Sequence, residues 1–344
     1  MAGSATAAPP RDDLEPAAHS ESAARRFAAD IVRMHGRLSF SGLADAVAGP
    51  PLHTHDGGDG LHTIAVHEAQ LPRRYLLGVY GFRLAQYLRL GWVCPRIAHQ
   101  NALFHEPRRP EHPVPDVHVL TIEQATGRIR GYAALAASLD PRPLPLDAPD
   151  RSLLAVESDH HVRLLDRYAA PGWTTHHAYE AKRLLRDQAM PRGDLAARVP
   201  WHVLTAWGRC LHLLGGPARR ILAVGDGKER GSLRHLRLMG FDLDLTHGTD
   251  PGLPETDLLW PIFAGPGPQA KPFVGRLPET FASHLDLIDD WLTQPLGTAP
   301  IGDLLDRLAA HRATTQQDAT QQDATQQDRT QRDRTRPDDE SDGR

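Results

Sequence analysis

The chain has 344 residues, which suffices for one large or two small domains with a hydrophobic core. Hydrophobic residues make up 40% and charged residues 24%, and a formal net charge of -4 argues against a dedicated nucleic-acid-binding protein. The two cysteines, Cys94 and Cys210, exclude a disulfide scaffold and a zinc site built from cysteine alone. The sequence contains no apolar run of the roughly 20 residues that a membrane span needs, and its start lacks a secretory signal. We therefore expect a cytoplasmic protein.

Both ends of the chain are predicted to be disordered. Residues 1–22 are Ala, Pro, Ser and charged residues without an apolar period. Residues 313–344 repeat a five-residue unit that fits neither the helix nor the strand period, and they hold too few apolar side chains to offset the entropy of ordering. Expansion of a short repeat by slippage, without any function, is enough to explain such a tail. Between the ends we expect an N-terminal helix and linker over 23–61, a main domain over 62–300 and a terminal helix over 301–312.

The first elements are defined by their apolar spacing and by turn residues. Apolar residues at helical spacing predict a helix within 23–47, and the Gly/Pro-rich segment 49–61 is typical of turns. Alternation in 62–69 predicts a strand, after which Pro72 opens a helix that Gly91 ends. These elements begin the main domain.

Strands and helices then alternate along the rest of the domain. Strands are predicted at 117–123, 129–136, 176–187, 219–226, 241–247 and 258–265, and helices at 199–215, 229–241 and 277–292. This order indicates an α/β domain with a mixed sheet.

Four segments resemble a known superfamily when taken in order. They are VYGFRLAQYLRLGW at 79–92, HVLTIEQATGRIRGYAALAASLDP at 118–141, YEAKRLL at 179–185 and RILAVGDGKERGSLRHLRLMGFDLD at 220–244. This pattern is similar to that of the GNAT acyltransferases and, more narrowly, of the acyl-homoserine-lactone (autoinducer) synthase and N-acyl amino acid synthase branch.

The resemblance implies a fold and an activity. The fold is a GNAT-like α/β fold, in which a mixed central sheet carries helices on both faces and two splayed strands form a thioester cleft. The activity is N-acyl transfer from acyl-CoA or an acyl carrier protein to the amine of a small molecule or an amino acid, without a metal. The alternative is a catalytically degenerate protein of the same fold that binds a thioester or a protein partner, and unrelated α/β folds such as a methyltransferase stay open.

The resemblance also implies where the acyl donor binds. In the superfamily, a backbone amide at a bulge in the strand that corresponds to 179–187 holds the thioester oxygen. The N-terminus of the helix that follows this strand, with nearby arginines, favours a phosphate. The donor-binding residues are then Leu184, Leu185, Arg186, Arg192, Gly193 and Arg198.

Catalytic and acceptor-binding residues are implied in the same way. Glu180 is the proposed base or base-positioning residue, and Arg183 matches an arginine that the family carries in the same strand. The alternative for both residues is a structural salt bridge. Arg89 is a proposed carboxylate clamp, Trp92 matches a tryptophan of the acceptor side, and Trp201 would line an acyl tunnel. Their structural alternatives are a flanking charge for Arg89 and plain packing for the two tryptophans.

The sequence departs from the family pattern at three places. The segment 192–197 has small residues but not the spacing of the pyrophosphate signature, and Leu236 occupies the position of a common general-acid tyrosine. No acidic run follows Trp92, which argues against homoserine lactone production. These departures motivate the degenerate alternative.

Two further features concern partners and metals. An acidic carrier protein could bind to the exposed arginines Arg73, Arg74, Arg219 and Arg220. These arginines could equally be ordinary solvated surface charges. The segment 53–56, His-Thr-His-Asp, opens like a metallo-hydrolase motif, but Gly-Gly stands where its completing Asp-His should be, so we expect no metal site.

Overall fold

The computed structural model describes residues 15–107, 116–218, 220–229, 231–247, 253–264 and 270–314. The strands are β1 (His53–Asp56), β2 (Leu61–His67), β3 (Val117–Glu123), β4 (Arg128–Ala137), β5 (Ala178–Arg186), β6 (Leu222–Gly227), β7 (Asp242–Leu245) and β8 (Lys271–Arg276). The helices are α1 (Glu15–His35), α2 (Leu43–Ala46), α3 (Arg73–Leu90), α4 (Pro95–Gln100), α5 (Ala155–Asp159), α6 (Asp194–Leu214), α7 (Ser232–Leu238), α8 (Trp260–Phe263), α9 (Phe281–Leu292) and α10 (301–314).

All eight strands form one sheet, in the order β1-β2-β3-β4-β5-β6-β8-β7. Neighbouring strands are antiparallel except β5 and β6, which are parallel and are connected through α6. A parallel neighbour needs such a crossover helix, whereas the antiparallel strands can be joined by short turns. The predicted α/β class with a mixed sheet is confirmed.

Helices cover both faces of the sheet. On one face α6 and α9 enclose a core that includes Trp207 and Leu285, because α6 carries its apolar residues at helical spacing. On the other face α3 packs over a second core around Tyr132, and beside it the segment 144–168 covers β6 and β8. The predicted helices on both faces are therefore confirmed, and the two coverings of the second face meet above β5.

Helix α3 ends as its sequence predicts. Gly91 follows the last turn with φ of 69°, a left-handed conformation that glycine adopts without a Cβ penalty, and its amide bonds to the carbonyl oxygen of Leu88. This stop turns the chain so that Trp92 packs back on the ring of Tyr87. No helix in the described ranges is long and apolar enough to cross a membrane.

The N-terminal prediction needs correction. Helix α1 begins at Glu15, so the prediction of disorder is wrong for residues 15–22, whose alanines favour a helix; residues 1–14 lie outside the described residues. The helix predicted within 23–47 ends at His35, and a separate single turn follows at α2. The predicted tail is outside the described residues from 315 onward.

Three strand assignments also differ from the prediction. Residues 258–264 do not form the predicted strand, since Trp260–Phe263 is one helical turn with Pro261 near its start, and residue 265 lies outside the described residues. Proline lacks the amide hydrogen that a strand ladder needs, but it fits the first turn of a helix. Strands β1 and β8 are absent from the prediction, β1 because turn residues surround its four positions and β8 because Pro272 and Gly275 interrupt it.

His284 should make folding stability depend on pH. It is 2% exposed, its ring stands edge-on to His311 at 4.6 Å, and neither of its nitrogens has a hydrogen-bond partner among the described residues. Burial, with the nearby His311 and Arg312, lowers its pKa to about 4. Because the unfolded chain binds this proton near pH 6.5 and the folded chain does not, stability falls as the pH drops from 6.5 towards 4, by about 2–3 kcal/mol at pH 4.5.

The comparison with His284→Phe isolates this contribution. Phenylalanine keeps the ring and gives up no hydrogen bond, so the variant should lose less stability than the parent between pH 7.0 and 4.5. Urea unfolding at the two pH values measures both losses. Equal losses for parent and variant would show that this histidine does not set the dependence.

Candidate functional site

Strands β5 and β6 pair only where they begin. The parallel register joins Ala178 to Leu222, Tyr179 to Ala223 and Glu180 to Val224, and then stops. Beyond this point β5 continues to Arg186 paired with β4 alone, while β6 continues to its end paired with β8 alone. The two strands therefore part, and each presents an unpaired backbone edge to the gap. The predicted splayed strands are confirmed.

A β-bulge lies beside this gap. The register of β5 with β4 shifts between the pairs Ala134–Lys182 and Tyr132–Leu185, so Arg183 and the next residue stand opposite a single residue of β4. Arg183 has φ of 66°, which is uncommon for a residue other than glycine and costs roughly 1–3 kcal/mol. The bulge bends β5 at the level where it leaves β6.

Charged side chains gather under the bulge on the α3 face of the sheet. We call them the charged cluster: Arg83, Glu106, Glu180, Lys182 and Arg183. Helix α3, the segment after α4 and strand β5 each contribute to it. Charges that leave water are costly unless they are paired, so the internal pairing of the cluster decides its chemistry.

Glu106 lies between two arginines. Its Oε2 is 2.7 Å from Nε of Arg83, and its Oε1 is 3.0 Å from Nη2 of Arg183. The guanidinium of Arg183 also lies over the ring of Tyr87, 5.7 Å from its centroid. Burial alone would raise the pKa of Glu106, but the charges of Arg183 and Arg83 outweigh it and hold the pKa below its usual value. Glu106 is thus ionised and is the anchor of both arginines.

Glu180 is held from three sides. Its Oε2 accepts the amide of Ala155 at 3.0 Å and lies 3.2 Å from Nζ of Lys182, and its Oε1 accepts the amide of Val156 at 3.1 Å. Burial raises the pKa of Glu180 and lowers the pKa of Lys182. The two groups therefore approach each other in proton affinity, and Glu180 also fixes the start of α5 against the sheet.

Arg183 is the member of the cluster that solvent reaches. Its side chain is 26% exposed, against 7% or less for the other members. Its Nε has no hydrogen-bond partner among the described residues. The cluster has three cationic and two anionic members, so it carries an excess of one positive charge that Arg183 presents to the outside.

The predicted donor-binding residues lie along and after the gap. Leu184 is half-buried towards α6, Leu185 is buried towards α3, and Arg186 ends the strand. Arg192 is exposed in the following loop, and Gly193 is the N-cap of α6, whose first amides receive no side-chain cap. These five residues are compatible with the expected roles.

Arg198 and Trp201 do not reach the gap. Arg198 is 2% exposed and donates through Nη1 to the carbonyl oxygen of Gln294 at 2.7 Å, with Asp59 at 3.4 Å. Trp201 is fully buried and packs edge-on against His235. Both side chains point from α6 into the interior. Arg198 is therefore bonded away from the gap, which contradicts its predicted phosphate contact, whereas the tunnel wall at Trp201 stays a prediction.

The two predicted acceptor-binding residues near the end of α3 lie in different places. Trp92 is half-buried on Tyr87, which in turn lies under Arg183, so Trp92 adjoins the charged cluster. Arg89 is exposed and lines a separate cavity beside α1. The structure therefore joins Glu180, Arg183 and Trp92 into one site and leaves Arg89 outside it.

Three residues of the cluster are absent from the sequence prediction. Arg83 occupies a buried position within an otherwise mostly apolar stretch of α3, which is the one local signal that could have identified it. Lys182 alternates with Glu180 on β5, which places both on one face. Glu106 follows an irregular stretch, and no local pattern reveals it.

The remaining predictions on charges and metals concern the surface. Arg74 donates to the hydroxyl of Tyr75, Arg220 donates to the carbonyl oxygen of Gly172, and Arg219 lies outside the described residues. Within the described ranges, no group of three or more His, Cys, Asp or Glu side chains has a metal-binding arrangement.

Comparison with known proteins gives only distant similarity. No protein-family model and no curated protein matches the chain. The solved structure of a CoA-dependent acyl-homoserine lactone synthase, BjaI, with SAM and isopentyl-CoA is 16% identical with a TM-score of 0.34, and the match covers 72% of this chain and 97% of that chain. A GCN5-related N-acetyltransferase from Brucella melitensis is 13% identical with a TM-score of 0.38, covering 76% and 97%.

The acyl-homoserine lactone synthase LasI is 13% identical with a TM-score of 0.35, and the match covers 66% of this chain and 95% of that chain. These structures come from the families that the four sequence segments resemble. Similarity at this level does not carry over a substrate or an activity, so the chemistry of this chain has to come from its own residues.

Proposed function

We propose that this chain is an N-acyltransferase that moves an acyl group from a pantetheine thioester, either acyl-CoA or an acyl carrier protein, to the amine of an amino acid. The observation that carries the proposal is the gap between β5 and β6 with the bulge at Arg183 beside it. An extended arm with amide groups can add to such an open strand edge through main-chain hydrogen bonds.

The bulge in β5 supports the proposal that backbone amides of this strand stabilise the transition state. When an amine attacks the thioester, negative charge develops on the carbonyl oxygen, and fixed amide donors stabilise it without reorganising. Residues Leu184–Arg186 lie beyond the last pair with β6, so those of their amides that do not bond to β4 face the gap. Removing one such donor typically costs roughly 10²–10³-fold in kcat.

The charged cluster supports an acceptor with a carboxylate. Its excess positive charge is presented by Arg183, whose Nε lacks a partner among the described residues. A guanidinium matches a carboxylate geometrically, and Trp92 with Tyr87 supplies an aromatic wall next to it. An α-amino acid held by its carboxylate would present its amine towards β5.

The reaction needs one proton acceptor. The amine nitrogen attacks the carbonyl carbon and the carbon–nitrogen bond forms. The carbon–sulfur bond then breaks with its electron pair on sulfur, so the donor leaves as a thiolate that takes a proton from water. We assign the released amine proton to Glu180, reached through water, because its raised pKa makes it a stronger base than a free glutamate.

Direct assay tests this function. The purified protein is incubated with octanoyl-CoA or octanoyl carrier protein and a mixture of amino acids, and amide products are detected by mass spectrometry. Arg183→Gln should lower kcat/KM by about 10²-fold, since a hydrogen bond to a charged group is worth about 1.5–3 kcal/mol. Arg234→Gln, an exposed arginine on α7, is the matched control and should not change it.

Amino acid amides in place of amino acids test the carboxylate assignment. Equal rates with the amides would contradict it. An absence of any amide product with every donor and acceptor would instead favour an inactive thioester-binding protein. One observation supports that second candidate: both oxygens of Glu180 already accept backbone amides.

A further inference from the structure

A second feature near the gap is a cavity of about 240 Å³ between α1, α3 and the loop that follows β5. Phe82 and Ile129 contribute apolar lining to it, and four arginines also line it, namely Arg33 and three others. The three others are Arg37 after α1, Arg89 on α3 and Arg128 at the start of β4. No member of the charged cluster lines this cavity, and neither do the predicted phosphate-binding residues Arg192, Gly193 and Arg198.

The three arginines are not held in ion pairs by the described residues, although the charge of Arg128, which lies opposite Glu123 in the β3–β4 ladder, helps to lower the pKa of Glu123. Each is exposed and forms no ion pair with a described residue, whereas Arg33, which also lines the cavity, is paired with Asp30 at 3.1 Å. Three guanidinium groups around one cavity repel one another unless an anion lies between them.

Two acids close to the cavity, Asp187 in its lining and Glu123 opposite Arg128, are already bound to another arginine. Arg130 lies 2.6 Å from Asp187 and 2.8 Å from Glu123, and the bonds to it and neighbouring groups hold the pKa of Glu123 below its usual value despite burial. Asp187 lines the cavity itself. The positive charge of the cavity is therefore open to a ligand from outside.

The cavity lies where β5 ends, beside the first residues of the following loop. Asp187 continues the β4–β5 ladder through its amide to the carbonyl oxygen of Arg130, and the amide of Gln188 donates to Oε1 of Gln86 on α3. Gln86 and Ala189 both line the cavity. The first residues after β5 are thus one wall of the cavity, and they are fixed to α3.

We propose that the cavity of Arg37, Arg89 and Arg128 binds the phosphate of the donor's phosphopantetheine arm. This inference rests on the proposed acyl transfer. With the thioester at Leu184–Arg186, an arm that follows the open edge of β5 runs towards Asp187 and delivers its phosphate end to this wall. The loop 187–193 lacks the glycine-rich run that would bind phosphate through its own amides, so side chains supply the donors instead.

Coenzyme A and a carrier protein share this phosphate. A thioester of pantetheine alone lacks it, which makes it the discriminating probe. Binding of octanoyl-CoA, octanoyl carrier protein and S-octanoyl-pantetheine is measured by calorimetry on the full chain. The variants are Arg89→Gln, Arg128→Gln and the triple variant Arg37→Gln/Arg89→Gln/Arg128→Gln, with thermal unfolding to check that each is folded.

The matched control is Arg26→Gln, an exposed arginine of α1 that does not line the cavity. The single variants should raise the Kd of octanoyl-CoA by about tenfold and the triple variant by at least about 100-fold, because each lost charge-assisted bond is worth about 1.5–3 kcal/mol. The Kd of S-octanoyl-pantetheine and every Kd of the control should stay unchanged.

Two results would overturn the inference while leaving the acyl transfer intact. One is an unchanged Kd of octanoyl-CoA and of octanoyl carrier protein in the triple variant. The other is an equal loss for S-octanoyl-pantetheine, which has no phosphate. Failure of all three probes to bind the parent protein would reject the proposed function and this inference together.

Discussion

Replacing Glu106 with alanine should lower the free energy of unfolding by about 3–5 kcal/mol. The carboxylate is 6% exposed and binds Arg83 and Arg183 at once, so its removal leaves the buried guanidinium of Arg83 and the partly exposed guanidinium of Arg183 repelling each other with no counter-charge between them. Urea unfolding at pH 7 measures the change. Because the pKa of Glu106 lies below its usual value, this stabilisation is present above about pH 4.5 and is lost as the pH falls through the folded-state pKa.

An exposed pair gives the matched control. Asp242 is bonded to Arg276, and both side chains are 56% exposed. Asp242→Ala removes a carboxylate from an arginine as Glu106→Ala does, but solvent screens the charge that is left, so the loss should stay below about 1 kcal/mol. Similar losses for the two variants would mean that the charged cluster is solvated in solution.

Local patterns predicted the elements that build the site. The spacing of α3 and its Gly91 stop, the alternation of 62–69 and the strand YEAKRLL all gave the observed elements. Period and propensity succeed there because each element buries one regular face against the sheet. The gap between β5 and β6 followed from the resemblance alone, since unpaired strand edges have no periodic signal.

The errors have a common physical origin. Arg198 was assigned to the donor because it follows the loop, yet its guanidinium lies over the ring of Trp291, whose position depends on a helix nearly a hundred residues away. Glu106 is absent from the sequence prediction because the partners that give it a role come from distant elements, α3 and β5. Long-range pairing of charges decides both positions, and no sequence window contains it.

Glu180→Gln should reduce kcat by at least about 10²-fold, the usual contribution of a positioned acid or base. Glutamine keeps an oxygen for one backbone amide of α5, but it cannot accept the amine proton. It also leaves the ammonium of Lys182 buried without its counter-charge, so a loss of stability accompanies the loss of activity. The single variant cannot separate these two effects.

The double variant Glu180→Gln/Lys182→Met separates them. Methionine removes the unpaired ammonium while filling similar space, so thermal stability should return towards that of the parent. If Glu180 receives the proton, kcat stays low in this stable protein. The pH profile of kcat, measured with octanoyl-CoA and an amino acid, then also lacks the increase that deprotonation of the Glu180 carboxylate produces in the parent. Recovery of kcat together with stability would show that Glu180 only anchors α5 to the sheet, and the proton would then have to leave through another group beside the gap.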